Sequence, residues 1–384
     1  MRIGVPKETW PGERRVALVP ESAKKLIQSG YTISIESGAG VAAGFPDSAY
    51  QEAGVTTAPD PAAVLASADL VLKVNPPALV DGQRDEAKSM RPGTVYVGSL
   101  MPLRNLDTVR ALASGRITAF STDAIPRTTR AQSMDTLSSM ANISGYKGAL
   151  LAAVELNKYF PMLMTAAGMV PPAKAFVIGA GVAGLQAIAT ARRLGANVFA
   201  TDVRPEVKEQ IESVGGKYVG IELGEGVSAG GGYAKELSEA DRMRQRELLA
   251  AQCAQSDAVI TTALIGGVFA PRLISADMVR SMKPGAVIVD LAADGGGNCE
   301  LSRPGETVTI GGVTILAPLN LPATMPLHAS LLFSRNLTAF VLAFTKDKAF
   351  QIDLTDDIQG GAVITHEGAI KHSRTQEALQ KGGT

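Results

Sequence analysis

Cysteine and histidine are scarce in this chain of 384 residues, which has two of the first and three of the second. Cys253 and Cys299 stand far apart, and neither belongs to a Cys-x-x-Cys motif or a Cys/His cluster. That spacing excludes a disulfide framework and a structural zinc site, so both read as buried thiols and no metal is expected. His328, His366 and His372 all fall in the last sixth of the sequence and read as structural or solvated rather than catalytic. An excess of either charge is also missing, with 37 basic and 37 acidic residues. Without a basic stripe, nucleic acid and anionic membrane surfaces are poor partners. No apolar run reaches the roughly 18–20 residues that span a bilayer. Residues 1–8 (MRIGVPKE) lack a secretory apolar segment. The expectation is a cytoplasmic protein with nothing of its own to carry a proton across a membrane.

What the chain does have is a compact-core composition, 46% apolar and 19% charged, in a length that fits two domains. Strand-like and helix-like segments alternate. Residues 2–5, 32–36, 69–74, 95–99 and 117–121 read as strands, with helices predicted over 20–29 and 106–113. Such repeated β–α units make a mostly parallel sheet. A long helical pattern covers residues 134–160, interrupted by Gly145 and Gly148, which either weaken it or let another element approach closely. It is long enough to bridge two domains. A second series follows, with strands predicted at 175–178, 197–201, 217–219, 258–261 and 286–291, and the pattern changes after 315–317. Helices are predicted at 182–194, 205–214, 233–252 and 276–282. Between Ile221 and Gly232 lies a loop with five glycines in nine positions, read equally well as a flexible surface loop or a lid. Beyond it, 329–345 reads as a helix, and 350–354 and 362–365 as a pair of strands returning to the first domain.

The central signal is Val177-Ile178-Gly179-Ala180-Gly181-Val182-Ala183-Gly184, which follows a predicted strand and opens a predicted helix. Gly179 suits the tight turn, Gly181 lets the backbone approach a pyrophosphate, and Gly184 lets helix and strand pack closely. The helix N-terminus then offers free N–H groups to phosphate. The next strand ends at Asp202, 23 residues after Gly179, where a carboxylate can accept hydrogen bonds from the adenosine ribose. A carboxylate there repels a 2′-phosphate, so NAD(H) is expected over NADP(H), although Arg204 is a residue type that accommodates such a phosphate.

Several stretches carry a family resemblance. They are 127–139 (RTTRAQSMDTLSS), 164–174 (MTAAGMVPPAK) leading into the glycine turn and on to Ala191, 230–236 (GGGYAKE) and 261–267 (TTALIGG). Together they resemble the NAD(H)-binding soluble component, the alpha subunit or domain I, of proton-translocating, Re/Si-specific NAD(P)+ transhydrogenase. The likeness runs from residue 1 to about 345, and the stretch around Gln132 and Asp135 is its most specific region. The resemblance implies an α/β fold of two Rossmann-like, doubly wound parallel-sheet domains joined by long helices. Residues 1–136 with 320–384 would form the N-terminal domain and 137–319 the NAD(H)-binding domain. It implies hydride transfer between NADH and NADP+ held on a partner NADP(H)-binding beta subunit. Proton translocation would be coupled through a separate membrane-spanning subunit, which would also hold this component peripherally on the inner face of the membrane. A homodimer is implied as well.

The resemblance also assigns residues. Arg127, Gln132, Asp135 and Ser138 would surround the nicotinamide, with Tyr233 closing over it from the mobile loop. Thr128, Thr129, Ser133, Met134, Gly179, Ala180, Gly181, Val182, Gly184, Gly230, Gln245 and Leu264 would complete the cofactor site. Asp202, Val203 and Arg204 would hold the adenosine side. Chemistry agrees in kind: transfer between two nicotinamides removes no proton, so the protein has only to orient two rings and exclude water.

Residues 4–8 (GVPKE) and 13–20 (ERRVALVP) also resemble alanine dehydrogenases, which share the two-domain fold. A stand-alone NAD-dependent amino-acid dehydrogenase is therefore the alternative. The resemblance to that family requires a lysine for the substrate carboxylate and a histidine as acid/base. Lys73 stands where the lysine would be, and Asp294 matches an acid of that family. Residues 96–101 (YVGSLM) hold no histidine, which counts against chemistry that must move protons.

Overall fold

A computed structural model describes residues 1–80, 84–204, 206–220, 238–264 and 270–381. The chain divides into two units, Met1–Met140 with Pro322–Thr384, and Ala141–Leu321. The boundary falls inside the helix Thr136–Glu155.

The first unit is built on an eight-stranded sheet. Its parallel strands are Arg2–Val5, Thr32–Glu36, Thr56–Ala58, Leu70–Leu72, Val95–Gly98 and Thr118–Ser121. In sheet order these run third, second, first, fourth, fifth, sixth, the arrangement of doubly wound nucleotide folds. Alternating side chains feed opposite faces. Ile3, Val5, Leu70, Leu72, Val97 and Phe120 enter one core, while Val71, Tyr96 and Ala119 enter another. Near-continuous apolar strands are what a sheet covered on both faces requires.

The tail completes this sheet. Val363–His366 lies antiparallel beside Thr118–Ser121, with Val363 opposite Phe120, and Ala369–Ile370 forms the edge. The expected pairing of 350–354 with 362–365 does not occur. Ala349–Phe350 turns back on Thr345–Lys346 instead. The turn residues Asp347 and Lys348 have φ of 52° and 63°. Left-handed geometry at both central positions matches the strand twist of a two-residue hairpin. Phe350 then packs at 5.9 Å from Phe120 and 6.0 Å from Phe340, so it is a core residue rather than a ladder residue.

The second unit has six parallel strands, Lys174–Ile178, Asn197–Thr201, Lys217–Tyr218, Ala258–Thr261, Val287–Asp290 and Val313–Leu316, again in the order third, second, first, fourth, fifth, sixth. Thr307–Ile310 adds an antiparallel edge. Val177, Ile260 and Val289 point into one core and Phe176, Val259 and Ile288 into the other. Gly145 and Gly148 resolve as close-approach positions. A Cβ on Gly145 would stand 2.0 Å from the Ala183 carbonyl oxygen, and one on Gly148 would stand 2.8 Å from Leu291. The helix Glu239–Gln255 begins with Ser238 capping Asp241. The section of the predicted 233–252 helix before residue 238 lies outside the described residues, as does the 221–232 loop. A small antiparallel hairpin, Leu163–Thr165 with Gly168–Val170, sits in the 164–174 motif, where periodicity predicts no strands.

Candidate nucleotide site

In the second unit the strand Lys174–Ile178 ends at Gly179, whose φ of 93° is strained for any residue with a side chain. A Cβ there would also lie 2.7 Å from Thr262 Oγ1. The Thr262 hydroxyl donates to the Gly179 carbonyl at 3.0 Å and so holds the turn from below. Gly184, one turn into the helix Val182–Arg193, has no room at all: an added Cβ would meet the Gly179 carbonyl oxygen at 1.9 Å. Gly181 is the opposite case, since a Cβ there meets nothing within 4 Å. Gly181 caps the helix without a side-chain hydrogen bond, leaving the first N–H groups to an outside acceptor. A close-packed turn whose middle glycine faces open space is the cradle a diphosphate fits.

Asp202 stands at the end of the neighbouring strand. Its carboxylate accepts from the Ala180 N–H at 2.8 Å, the Arg204 N–H at 3.0 Å, and Arg204 Nε and NH2 at 2.9 Å each. Burial works against the charge, yet the Arg204 guanidinium and these N–H groups outweigh it and pull Asp202 below the usual carboxylate range. Asp202 is therefore ionised at neutral pH, and Arg204 is already committed to it. Val203 between them is half-buried and apolar.

In the first unit, Arg127, Thr128, Thr129, Gln132, Asp135 and Ser138 line one cavity of about 350 Å³. The backbone from Thr129 to Met134 winds as a short 3-10 helix. Asp135 ends it and accepts from the Ser138 N–H at 2.8 Å and the Ser138 hydroxyl at 2.6 Å. Gln132 and Ser133 are exposed, whereas Met134 is buried in the apolar core and offers a ligand only its backbone. Asn336 donates to the Ser133 carbonyl at 2.8 Å, and Arg130 pairs with Asp356 at 2.7 Å, so the loop is pinned from the tail on both sides. Gln245 is half-buried on its helix and Leu264 is exposed just past Thr262. Gly230 and Tyr233 lie outside the described residues. Sequence reasoning misses Thr262, which holds the glycine turn of the second unit, and Thr122, which lines the cavity of the first; of the two, only Thr262 lies within a recognisable motif, that of residues 261–267.

Lys73, the residue that suggests an amino-acid substrate, is bound to buried carboxylates of its own unit, and Arg15 of the 13–20 stretch is likewise paired. Lys73, 1% exposed, has Nζ 3.0 Å from Glu86 and 3.3 Å from Glu8. Burial disfavours its charge, but the two carboxylates outweigh that and raise its pKa. Arg15 grips Glu13 with Nε at 2.8 Å and NH2 at 2.6 Å. Burial opposes the Glu13 charge as well, yet Arg15 and Asn75 bring its pKa down to about 2. Both cations already have carboxylate partners. Ser99, in the stretch where a dehydrogenase would carry its histidine, donates to Asp123 at 2.9 Å. His372 is within electrostatic reach of Asp123, but burial and Arg374 push its pKa down and its Nδ1 is bonded to Thr375 at 2.7 Å. Among the described residues no cluster of metal-ligating side chains occurs, and no helix is long and apolar enough to cross a membrane.

Two doubly wound sheets, one carrying a glycine-lined phosphate cradle and an acidic strand end, define the two-domain nucleotide-binding class of α/β proteins. The sequence matches "Alanine dehydrogenase/PNT, N-terminal domain" over residues 4–144 and "Alanine dehydrogenase/PNT, C-terminal domain" over 148–373. The chain belongs to this family. It is 46% identical over 376 residues to the first portion of the NAD(P) transhydrogenase alpha subunit of Rhodospirillum rubrum, covering 97% of this chain and 98% of that one. The crystal structure of transhydrogenase from Sinorhizobium meliloti superimposes with a TM-score of 0.86 at 42% identity, covering 96% and 100%. Alanine dehydrogenase of Halomonas elongata is more distant, 30% identical over 387 residues and covering 99% and 97%.

Proposed function

We propose that this chain is the NAD(H)-binding component of a proton-translocating NAD(P)+ transhydrogenase, handing a hydride from NADH to NADP+ on a partner subunit. The observation that carries the choice between the two family activities is the pairing of Lys73, the residue a dehydrogenase would set against its substrate's carboxylate, with Glu8 and Glu86. A dehydrogenase must spare that lysine for its substrate's carboxylate, and here it is engaged by two carboxylates. The higher identity to a transhydrogenase subunit points the same way.

In this reading the Gly179–Gly184 turn holds the pyrophosphate and Asp202 the adenosine ribose. Arg127, Gln132, Asp135 and Ser138 orient the nicotinamide, and Asp135 is preset by Ser138. NADH supplies the hydride: the C4–H bond breaks with its electron pair, a C–H bond forms on the partner's nicotinamide, and NADH becomes NAD+ as NADP+ becomes NADPH. No proton is exchanged, so the residues act by orientation alone. Proton movement belongs to a membrane subunit, with this component held peripherally at the membrane's inner face, and the chain works as a homodimer.

Mixing the chain with an NADP(H)-binding transhydrogenase component should give NADH-dependent reduction of NADP+, while the chain alone should turn over neither L-alanine with NAD+ nor pyruvate with NADH and ammonia. Alanine oxidation by the isolated chain would overturn the proposal. Asp202→Asn should weaken NADH binding by about 1–2 kcal/mol and narrow the preference over NADPH, because Arg204 is released as a charge is lost. Isothermal titration with both nucleotides measures this, and unchanged affinities would remove Asp202 from the site.

A further inference from the structure

Thr122 follows the strand Thr118–Ser121, at the carboxyl edge of the first unit's parallel sheet, where α/β folds bind ligands. It is 3% exposed and borders the same cavity as Arg127 and Asp135. Its hydroxyl has no hydrogen-bond partner, and neither does that of Thr128 in the same wall. Buried hydroxyls normally find partners. Those nearby do: Ser121 Oγ donates to Asp123 at 2.6 Å, Thr365 Oγ1 to the Ile117 carbonyl at 2.8 Å, and Thr118 Oγ1 lies 3.0 Å from His366 Nδ1. Orphans are few among the described residues, and two of them border this one cavity.

We infer that Thr122 is a further binding residue for the nicotinamide, its hydroxyl engaging the ring's carboxamide, with Thr128 supplying a second hydroxyl. This rests on the reading that the cavity takes the nicotinamide end. A carboxamide presents both a carbonyl acceptor and N–H donors, so it satisfies a hydroxyl whichever way the proton points. It is uncharged, as a guest of two neutral hydroxyls should be. Ile125, Pro126 and Leu137 in the same wall suit the ring's apolar faces.

The test uses Thr122→Val, which keeps the shape and removes the hydroxyl, and Thr122→Ser, which keeps the hydroxyl. NADH and ADP-ribose, which lacks the nicotinamide, are titrated against the full chain. Thr122→Val should weaken NADH about tenfold and leave ADP-ribose unchanged, and Thr122→Ser should recover most of the loss. The unfolding midpoint of the ligand-free Thr122→Val protein should hold or rise, since the lost hydroxyl had no partner. Unchanged NADH affinity, an equal loss for ADP-ribose, or a fall in ligand-free stability would each overturn the role of Thr122. A wild-type chain that binds ADP-ribose but gains nothing from the nicotinamide would instead bring down the reading of the cavity itself.

Discussion

Gly184→Ala should abolish NADH binding and destabilise the second unit by about 3 kcal/mol. The added methyl would sit 1.9 Å from the Gly179 carbonyl oxygen, a backbone atom with nowhere to go, because Thr262 packs against the turn. Either the helix Val182–Arg193 moves off the sheet or the turn opens, and both dismantle the cradle. Gly181→Ala is the control that separates packing from ligand contact. Its backbone is extended, with φ of −74°, and a Cβ there meets no atom, so folding should be untouched. The methyl would still occupy the space a pyrophosphate needs, and NADH affinity should fall sharply. Urea unfolding and NADH fluorescence titration on both variants give the answer. If Gly181→Ala bound NADH normally, the phosphate would have to lie elsewhere.

Lys73→Met should cost about 3–5 kcal/mol in the first unit, because it leaves the buried carboxyls of Glu8 and Glu86 facing each other without the ammonium between them. Chemical denaturation followed by circular dichroism measures the loss. The triple variant Lys73→Met, Glu8→Gln, Glu86→Gln should recover much of it, since the penalty comes from uncompensated charge rather than lost shape. A substrate-binding lysine would behave otherwise. Its removal would leave stability nearly intact and raise the KM for an amino acid. A small stability change would therefore revive the dehydrogenase alternative.

The parallel sheets are legible in the sequence because their strands are written as short apolar runs bounded by glycine and proline, and the glycine turn because each of its glycines answers a separate steric demand. Gly145 carries an ambiguity that only packing settles: a helix interrupted by glycine and one that admits a neighbour's carbonyl look the same in sequence. The tail hairpin is misread because Asp347-Lys348 makes a two-residue turn without the Asn-Gly signal, leaving Phe350 to look like a strand residue. The state of Lys73 is beyond reach for another reason. Its partners Glu8 and Glu86 lie 65 residues before it and 13 after it, and nothing local announces that they converge. Thr122 has no signal at all, since an orphaned hydroxyl exists only once the cavity around it has formed.

On the proposed reading, the chain orients a nicotinamide for direct hydride transfer and contributes no acid or base. Single-turnover mixing of the chain, loaded with NADH deuterated at the transferring C4 position, with an NADP(H)-binding transhydrogenase component carrying NADP+ tests this most directly. Direct transfer places the deuterium quantitatively in NADPH at a chemical-step rate that deuteration slows. Deuterium released to water, or no transfer while both nucleotides are bound, would contradict it.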